Sequence, residues 1–245
     1  MDAERVAAAV SGWISDRAKE AGVEGVVVGL SGGLDSAVVG ALAVRALGAN
    51  ALGVIMPCES SGDDAADAAE IARALSLNTT IVGLDEPYRR LLDVLPEGSE
   101  LARANLKPRL RMATLYFVAN SLNYLVAGTG NRCEIAVGYF TKHGDGGVDM
   151  LPIGGLLKHE VAALAVHLGV PQRIVKRKPS AGLWAGQTDE GELGMSYEVL
   201  DEIVGAIDAG REPDAPPDLV ARVHKLMAAS AHKKQVPPVC PIPRD

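Results

Sequence analysis

Apolar residues recur at helical spacing through residues 3–21, at Val6, Ala9, Val10, Trp13 and Ile14, and predict an amphipathic helix ending near Gly22. The period then changes. GVVVGL (25–30) is a short β-branched run that reads as a buried strand, AVVGALAVRALG a helix with Gly48 as its C-cap, and ALGVIMP (51–57) a second strand. A helix over 63–75 and a strand TTIVGL (79–84) follow, then a helix over 108–123 and a strand YLVAGT (124–129). VDMLPI (148–153) predicts a fifth strand, and KHEVAALAVHLG (158–169) a helix, with Pro171 opening the next element. Helices are expected over 196–209 and 217–231, and an extended tail at VPPVCPIPRD. Strands alternating with helices across short links predict an α/β fold: a doubly wound, mostly parallel five-stranded sheet with helices on both faces. The stretch 176–194 breaks this rhythm: it has no periodicity and is rich in Gly, Pro and charge, as lids and binding loops are.

Composition narrows the class. The 245 residues, 48% of them apolar, suit one core, and a single domain over 1–245 is expected. No apolar run is long enough to span a membrane and no leader pattern opens the chain, so a cytoplasmic protein is expected. Cys58, Cys133 and Cys240 are scattered and odd in number, without the spacing of a disulfide framework or zinc site. The net charge of −7 argues against a nucleic-acid partner. Basic residues nonetheless gather at 103–111, 142–158, 173–178 and 232–234, a distribution suited to a small polyanion.

The candidate chemistry begins at GLSGGLDSAVVG (29–40), between the first strand and its helix. A phosphate-binding P-loop requires Lys and Ser/Thr after its last glycine, and here Leu34 follows Gly33. The spacing of Gly29, Gly32 and Gly33 also misses the dinucleotide-binding fingerprint. What remains, Ser-Gly-Gly-x-Asp-Ser at a helix N-terminus, offers close backbone amides and the Ser31 and Ser36 hydroxyls to an anion. Asp35 would repel a phosphate unless a magnesium ion lies between them. Helix capping accounts for Asp35 or Ser36 alone, but not for the Ser-Gly-Gly before them.

This segment resembles the pyrophosphate-binding loop of the ATP pyrophosphatases, which cleave ATP between its α- and β-phosphates and adenylate an oxygen. Four later segments extend the likeness: NLKPRLRMATLYFVAN (105–120), GTGNRCEIAVGYFTKHGDGGVDMLPIGGLLKHEV (128–161), KPSAGLWAGQTDEGELGMSYEVLDEI (178–203) and HKKQVPP (232–238). Together and in order, they resemble the ammonia-dependent NAD synthetases along nearly the whole chain. The resemblance implies amidation of deamido-NAD by ammonia through an acyl-adenylate, with ATP as co-substrate and Mg2+ as cofactor. By the same resemblance, Gly29, Leu30, Ser31, Gly32, Gly33, Leu34, Asp35 and Ser36 cradle ATP, and Thr129, Lys158 and Ser180 contact it. Asp35 and Glu134 hold the metal, while Arg109, Lys142, Asp149, His232 and Lys233 hold deamido-NAD. It also implies a homodimer, which the helix 109–123 suits because it is apolar on nearly every face.

Other readings of the residues stand beside these. Arg109 sits at an expected helix N-terminus, where a cation opposes the dipole and an anion would relieve it. In isolation Lys158 is a solvated first-turn lysine, His232 and Lys233 a charged helix end, and Lys142 and Asp149 the flanks of a plain glycine-rich turn. Cys133 reads as a small buried residue. A tRNA-modifying or GMP-synthetase-like enzyme on the same loop, or a nucleotide-binding sensor without turnover, are the alternatives. An amidotransferase domain finds no room, so free ammonia is the expected donor.

Overall fold

Burial alternates residue by residue along the first strand, and that alternation sets the layers. Val26 and Val28 belong to one core cluster and Val27 to another, all three fully buried, so strand β1 (Gly25–Gly29) has an apolar layer on each face. Complete burial of such a side chain contributes roughly 1.5–3 kcal/mol. The computed structural model describes residues 1–60, 62–180, 182–184 and 186–242. The positions Ala181 and Ala185 within the 176–194 segment, and 243–245 of the tail, lie outside the described residues.

The elements in chain order are α1 (Ala3–Ala21), β1, α2 (Leu34–Leu47), β2 (Ala51–Ile55), α3 (Gly62–Ala74), β3 (Asn78–Ile81), α4 (Asp85–Val94) and α5 (Glu100–Leu122). Then come β4 (Tyr124–Ala127), α6 (Arg132–Val137), α7 (Lys158–His167), α8 (Gln172–Val175), α9 (Asp189–Leu193), α10 (Tyr197–Asp208) and α11 (Pro217–Ser230). The sheet is parallel, in the order β3-β2-β1-β4. Residues of α1, α2, α3 and α7 pack on one face, and residues of α4 and α5 on the other. A third apolar cluster joins α6, α10 and α11 beyond the ends of the strands.

The expected architecture is therefore present, with four strands among the described residues and not five. The stretch 148–153 forms only a parallel bridge between Ala127 and Met150, with Gly128 donating to the Met150 carbonyl at 2.8 Å. Pro152 has no amide to continue a ladder, and the chain turns over 152–155. α5 also begins eight residues before Pro108, capped by Ser99, whose hydroxyl accepts from the Ala102 amide at 3.2 Å. Pro108 thus sits inside the helix and forfeits one bond of its ladder. Arg109 is consequently mid-helix, and the dipole penalty argued for it does not exist. α4 had no counterpart in the apolar pattern, and the end of the 176–194 segment is helical, as α9 under a Thr188 cap. No helix among the described residues is long and apolar enough to cross a membrane.

Candidate functional site

With the order β3-β2-β1-β4, the connections leaving β1 and β4 diverge, and ligands in such sheets bind at the carboxyl edge where they do. The loop after β1 lies there. Leu30 still bonds to the β2 carbonyl of Val54 at 2.9 Å, and the chain then turns into α2 with Gly33 as N-cap. Gly33 has no side chain to accept from the first-turn amides, which leaves them to an anion. The Ser36 hydroxyl holds the turn from inside: it donates to the Gly33 carbonyl at 2.9 Å and accepts from the Ser31 amide at 3.3 Å. The Ser31 hydroxyl lies 3.1 Å from it and accepts from the Gly33 amide at 3.2 Å. Gly32 has φ +84, and a Cβ there would stand 2.6 Å from the Asp64 carbonyl oxygen, so a glycine is required on both counts.

Three ionisable side chains converge beside this loop. Asp35, in the first turn of α2, forms a hydrogen-bonded ion pair with Lys158, the first residue of α7. Glu134, in the first turn of α6 after β4, faces the same pair. Burial first, and the neighbouring Asp35 second, push its carboxyl up to about 8, against the pull of Lys158 and the Asn131 amide. Burial opposes the charge on Lys158, but Asp35 and Glu134 outweigh it and the ammonium pKa is raised. Lys158 is not the solvated lysine its position suggested: it is buried, and its ammonium lies 4.9 Å from the centre of the Tyr197 ring.

Local sequence explains both placements. Asn131 and Glu134 form a reciprocal capping box: the Asn131 side chain accepts from the Glu134 amide at 3.0 Å, and Glu134 Oε2 from the Asn131 amide at 3.1 Å. Glu134 Oε1 is left for the site, where the Tyr197 hydroxyl donates to it at 3.4 Å. α7 is anchored from α10 by buried Asp201, which accepts from the Lys158 and His159 amides at 2.9 and 2.8 Å. Asp201 also accepts from the Cys133 thiol at 2.9 Å; burial and this bond raise the thiol pKa, consistent with a packing residue.

Sequence reasoning missed Tyr197, Tyr139, Asp189 and Asp201. Asp189 is buried at the start of α9 and accepts from the Tyr139 and Tyr197 hydroxyls, each at 3.2 Å. Burial chiefly, and then the surrounding carboxylates, raise the Tyr197 phenol pKa, so the ring stays neutral. The signal available was TDEGELG, where Thr188 caps a helix whose first residue turns inward; its lack of periodicity made it read as part of a lid or binding loop.

The residues expected to hold a dinucleotide form two groups. Arg109 donates to the Lys142 carbonyl at 3.3 Å, and the Lys142 ammonium donates to the His232 carbonyl at 2.7 Å. Lys233, next in sequence, donates to the carbonyls of Gly138 and Phe140 at 2.8 Å each, and burial lowers its pKa. Arg109, Lys142, His232 and Lys233 thus come together where α5, the turn after α6 and the C-terminal segment meet. Asp149 keeps different company. Its carboxylate accepts from the Tyr116 hydroxyl at 2.9 Å and the Val126 amide at 2.8 Å, and it lines an open cavity of about 690 Å3 with Trp13, Arg17 and Leu125. Thr129 lies just beyond β4, half-buried. Ser180 is exposed, its hydroxyl donating to the Gln187 carbonyl at 2.7 Å.

A parallel sheet with a glycine-rich loop, two carboxylates and a buried lysine at its switch point defines an α/β protein with a ligand site at the carboxyl ends of its strands. The chain belongs to the NAD synthase family, whose model matches residues 6–237. The NH(3)-dependent NAD(+) synthetase of Carboxydothermus hydrogenoformans is 50% identical over 232 residues, with 93% of each chain covered. That of Archaeoglobus fulgidus is 46% identical over 242 residues, covering 98% of this chain and 97% of its own. Among solved structures, the NMN synthetase of Francisella tularensis superposes with a TM-score of 0.92 at 34% identity, covering 99% of this chain and 100% of that one.

Proposed function

We propose that this chain is a carbon–nitrogen ligase that amidates deamido-NAD with ammonia, converting ATP to AMP and pyrophosphate and forming NAD as the last step of its biosynthesis. The observation that carries the reading is the buried Asp35–Lys158 pair with Glu134 at the mouth of the phosphate loop. Relatives named for this activity, matched over 93% and 97% of their length, support it.

A divalent cation fits the residues present. Asp35 Oδ1 is buried without a hydrogen-bond partner among the described residues, and burial, then the neighbouring Asp35, raise the pKa of the Glu134 carboxyl, a penalty that a cation between the two would relieve. Asp35 and Glu134 would hold Mg2+ together with phosphate oxygens, since this ion takes few protein carboxylates. When bound, it would neutralise the charge developing on the departing pyrophosphate.

The chain's own residues do the positioning. The amides of the 29–36 loop hold the ATP phosphates, with Thr129, Lys158 and Ser180 around them, while Arg109, Lys142, Asp149, His232 and Lys233 hold the dinucleotide. A nicotinate carboxylate oxygen bonds to the α-phosphorus as the bond from that phosphorus to the β-phosphate bridge breaks, giving acyl-adenylate and pyrophosphate. Ammonia nitrogen then bonds to the acyl carbon, the bond to AMP breaks, and one proton leaves the nitrogen. We assign shielding of the adenylate from water to the 176–194 segment, which Lys107 holds through the Leu183 carbonyl at 3.0 Å. Free ammonia is the donor in this reading, in keeping with relatives named for NH(3) dependence, and residues 1–245 act as one domain in the cytoplasm.

Purified protein with Mg-ATP, deamido-NAD and ammonium is expected to form NAD and AMP in equal amounts. Absence of both products overturns the reading. The likeness to an NMN synthetase favours one second reading, in which the acceptor is the mononucleotide. Run in parallel, nicotinic acid mononucleotide is expected to give a kcat/KM at least about tenfold lower, the loss of contacts to the adenylyl half.

We further propose a homodimer. Phe117 and Leu122 of α5 are 74% and 44% exposed, although Leu115, Tyr116 and Val118 of the same helix pack inward. Light scattering at micromolar concentration is expected to give twice the chain mass, and the chain mass alone would remove the proposal.

A further inference from the structure

An ion-pair network joins α3 to α8 and to the start of the 176–194 segment, and none of its members is among the residues assigned to ATP or the dinucleotide. Its centre is Asp67, a carboxylate only 5% exposed. One oxygen accepts from Arg173 of α8, and the other from Arg177 at 2.7 Å. Arg177 reaches on to the Asp64 carboxylate, and Arg173 to Glu70 at 2.7 Å. Arg177 lies three residues before Ser180.

The same two aspartates touch the phosphate loop from behind. Gly32 lies so close to α3 that a Cβ on it would stand 2.6 Å from the Asp64 carbonyl oxygen and 3.0 Å from Asp67 Cβ. α3 is therefore the outer wall of the cradle, and the network fixes that wall. A buried carboxylate shared by two guanidinium groups is geometrically over-determined, because each planar fork fixes direction as well as distance. Loosening it frees α3 to shift against α8, and Gly32, in close contact with α3, shifts with it.

We propose that Asp67, Asp64 and Arg177 are positioning residues for ATP: their ion pairs fix the outer wall of the phosphate loop and, through Arg177, the approach of the segment carrying Ser180. The inference rests on reading that loop as the ATP site. A network that merely joined two helices would stabilise the fold without favouring either substrate; this one predicts an effect confined to ATP.

The test uses Arg177→Ala, chosen because this side chain is 35% exposed and its loss leaves no void in the core. Its KM for ATP is expected to rise about tenfold, with kcat within about threefold and the KM for deamido-NAD within about twofold of the parent. Arg177→Lys, which keeps the charge, is expected to recover most of the ATP effect. Glu70→Ala, which removes a carboxylate hydrogen-bonded to Arg173 and not to Arg177, is expected to leave the ATP KM unchanged. Mg-ATP binding measured by calorimetry, without the second substrate, should weaken in Arg177→Ala by the same factor as KM. A fall in thermal midpoint with unchanged ATP KM and binding overturns the inference. Should the parent protein bind Mg-ATP yet form no NAD, the functional reading fails while the calorimetric comparison still decides this one.

Discussion

Asp35→Asn is expected to lower kcat/KM by about 10^3-fold, some 4 kcal/mol of transition-state stabilisation, while the folded state persists. Asparagine keeps the shape of the side chain, and Lys158 retains both the charge of Glu134 and the Tyr197 ring 4.9 Å away. What disappears is the negative charge beneath the loop, including the buried oxygen without a partner. Relief of the repulsion between Asp35 and Glu134 offsets part of the lost ion pair, so the thermal midpoint should stay within about 5 °C. Steady-state rates of NAD formation, with circular dichroism on the same preparation, make the check. Turnover equal to the parent's would show that the loop is not where ATP is cut.

Lys158→Met is the second large effect, and it acts on stability as well as rate. Two acidic side chains, one of them already driven up to about 8, share this single partly enclosed ammonium. Removing it leaves Asp35 without its partner in a poorly hydrated place, which costs about 3 kcal/mol. For a chain of this size that corresponds to a midpoint lowered by about 6–12 °C. Activity should fall below about 1% of the parent, because the loop loses a cation next to the phosphates. Mg-ATP should restore part of the lost stability through the positive charge of the metal. A melting curve indistinguishable from the parent's, with and without Mg-ATP, would contradict this account of the buried charges.

The alternation of strands and helices follows from features the chain states openly. GVVVG and YLVA are short apolar runs, and Gly22 and Gly48 close helices where the periodicity stops. Less was legible where a local signal competes with another. Pro108 marked a helix start in the sequence, yet the Ser99 cap and the good helix formers after it prevail and carry α5 through the proline. VDMLPI has strand composition but ends against Pro152, so it contributes a bridge.

In the site, Asp35 and Glu134 are readable because each follows a strand that ends at the same edge. The burial of Lys158 was not readable, since it depends on Asp201 and Tyr197, some forty residues further along on α10. Arg109, Lys142 and the adjacent pair His232 and Lys233 come from three distant stretches of sequence, and the resemblance linked them; in the structure they are neighbours through carbonyl groups. The same resemblance assigns Asp149 to the same ligand, and the fold seats it apart from the other four, bonded to Tyr116 and the Val126 amide.

The capping box at Asn131 and Glu134 has a consequence for how this position can drift. One carboxylate oxygen begins a six-residue helix and the other faces the site, so a change here is felt twice. Glutamine alone keeps the first duty while losing the charge. Glu134→Gln should therefore leave the start of α6 in place while removing the negative charge that the other oxygen presents to Asp35 and Lys158.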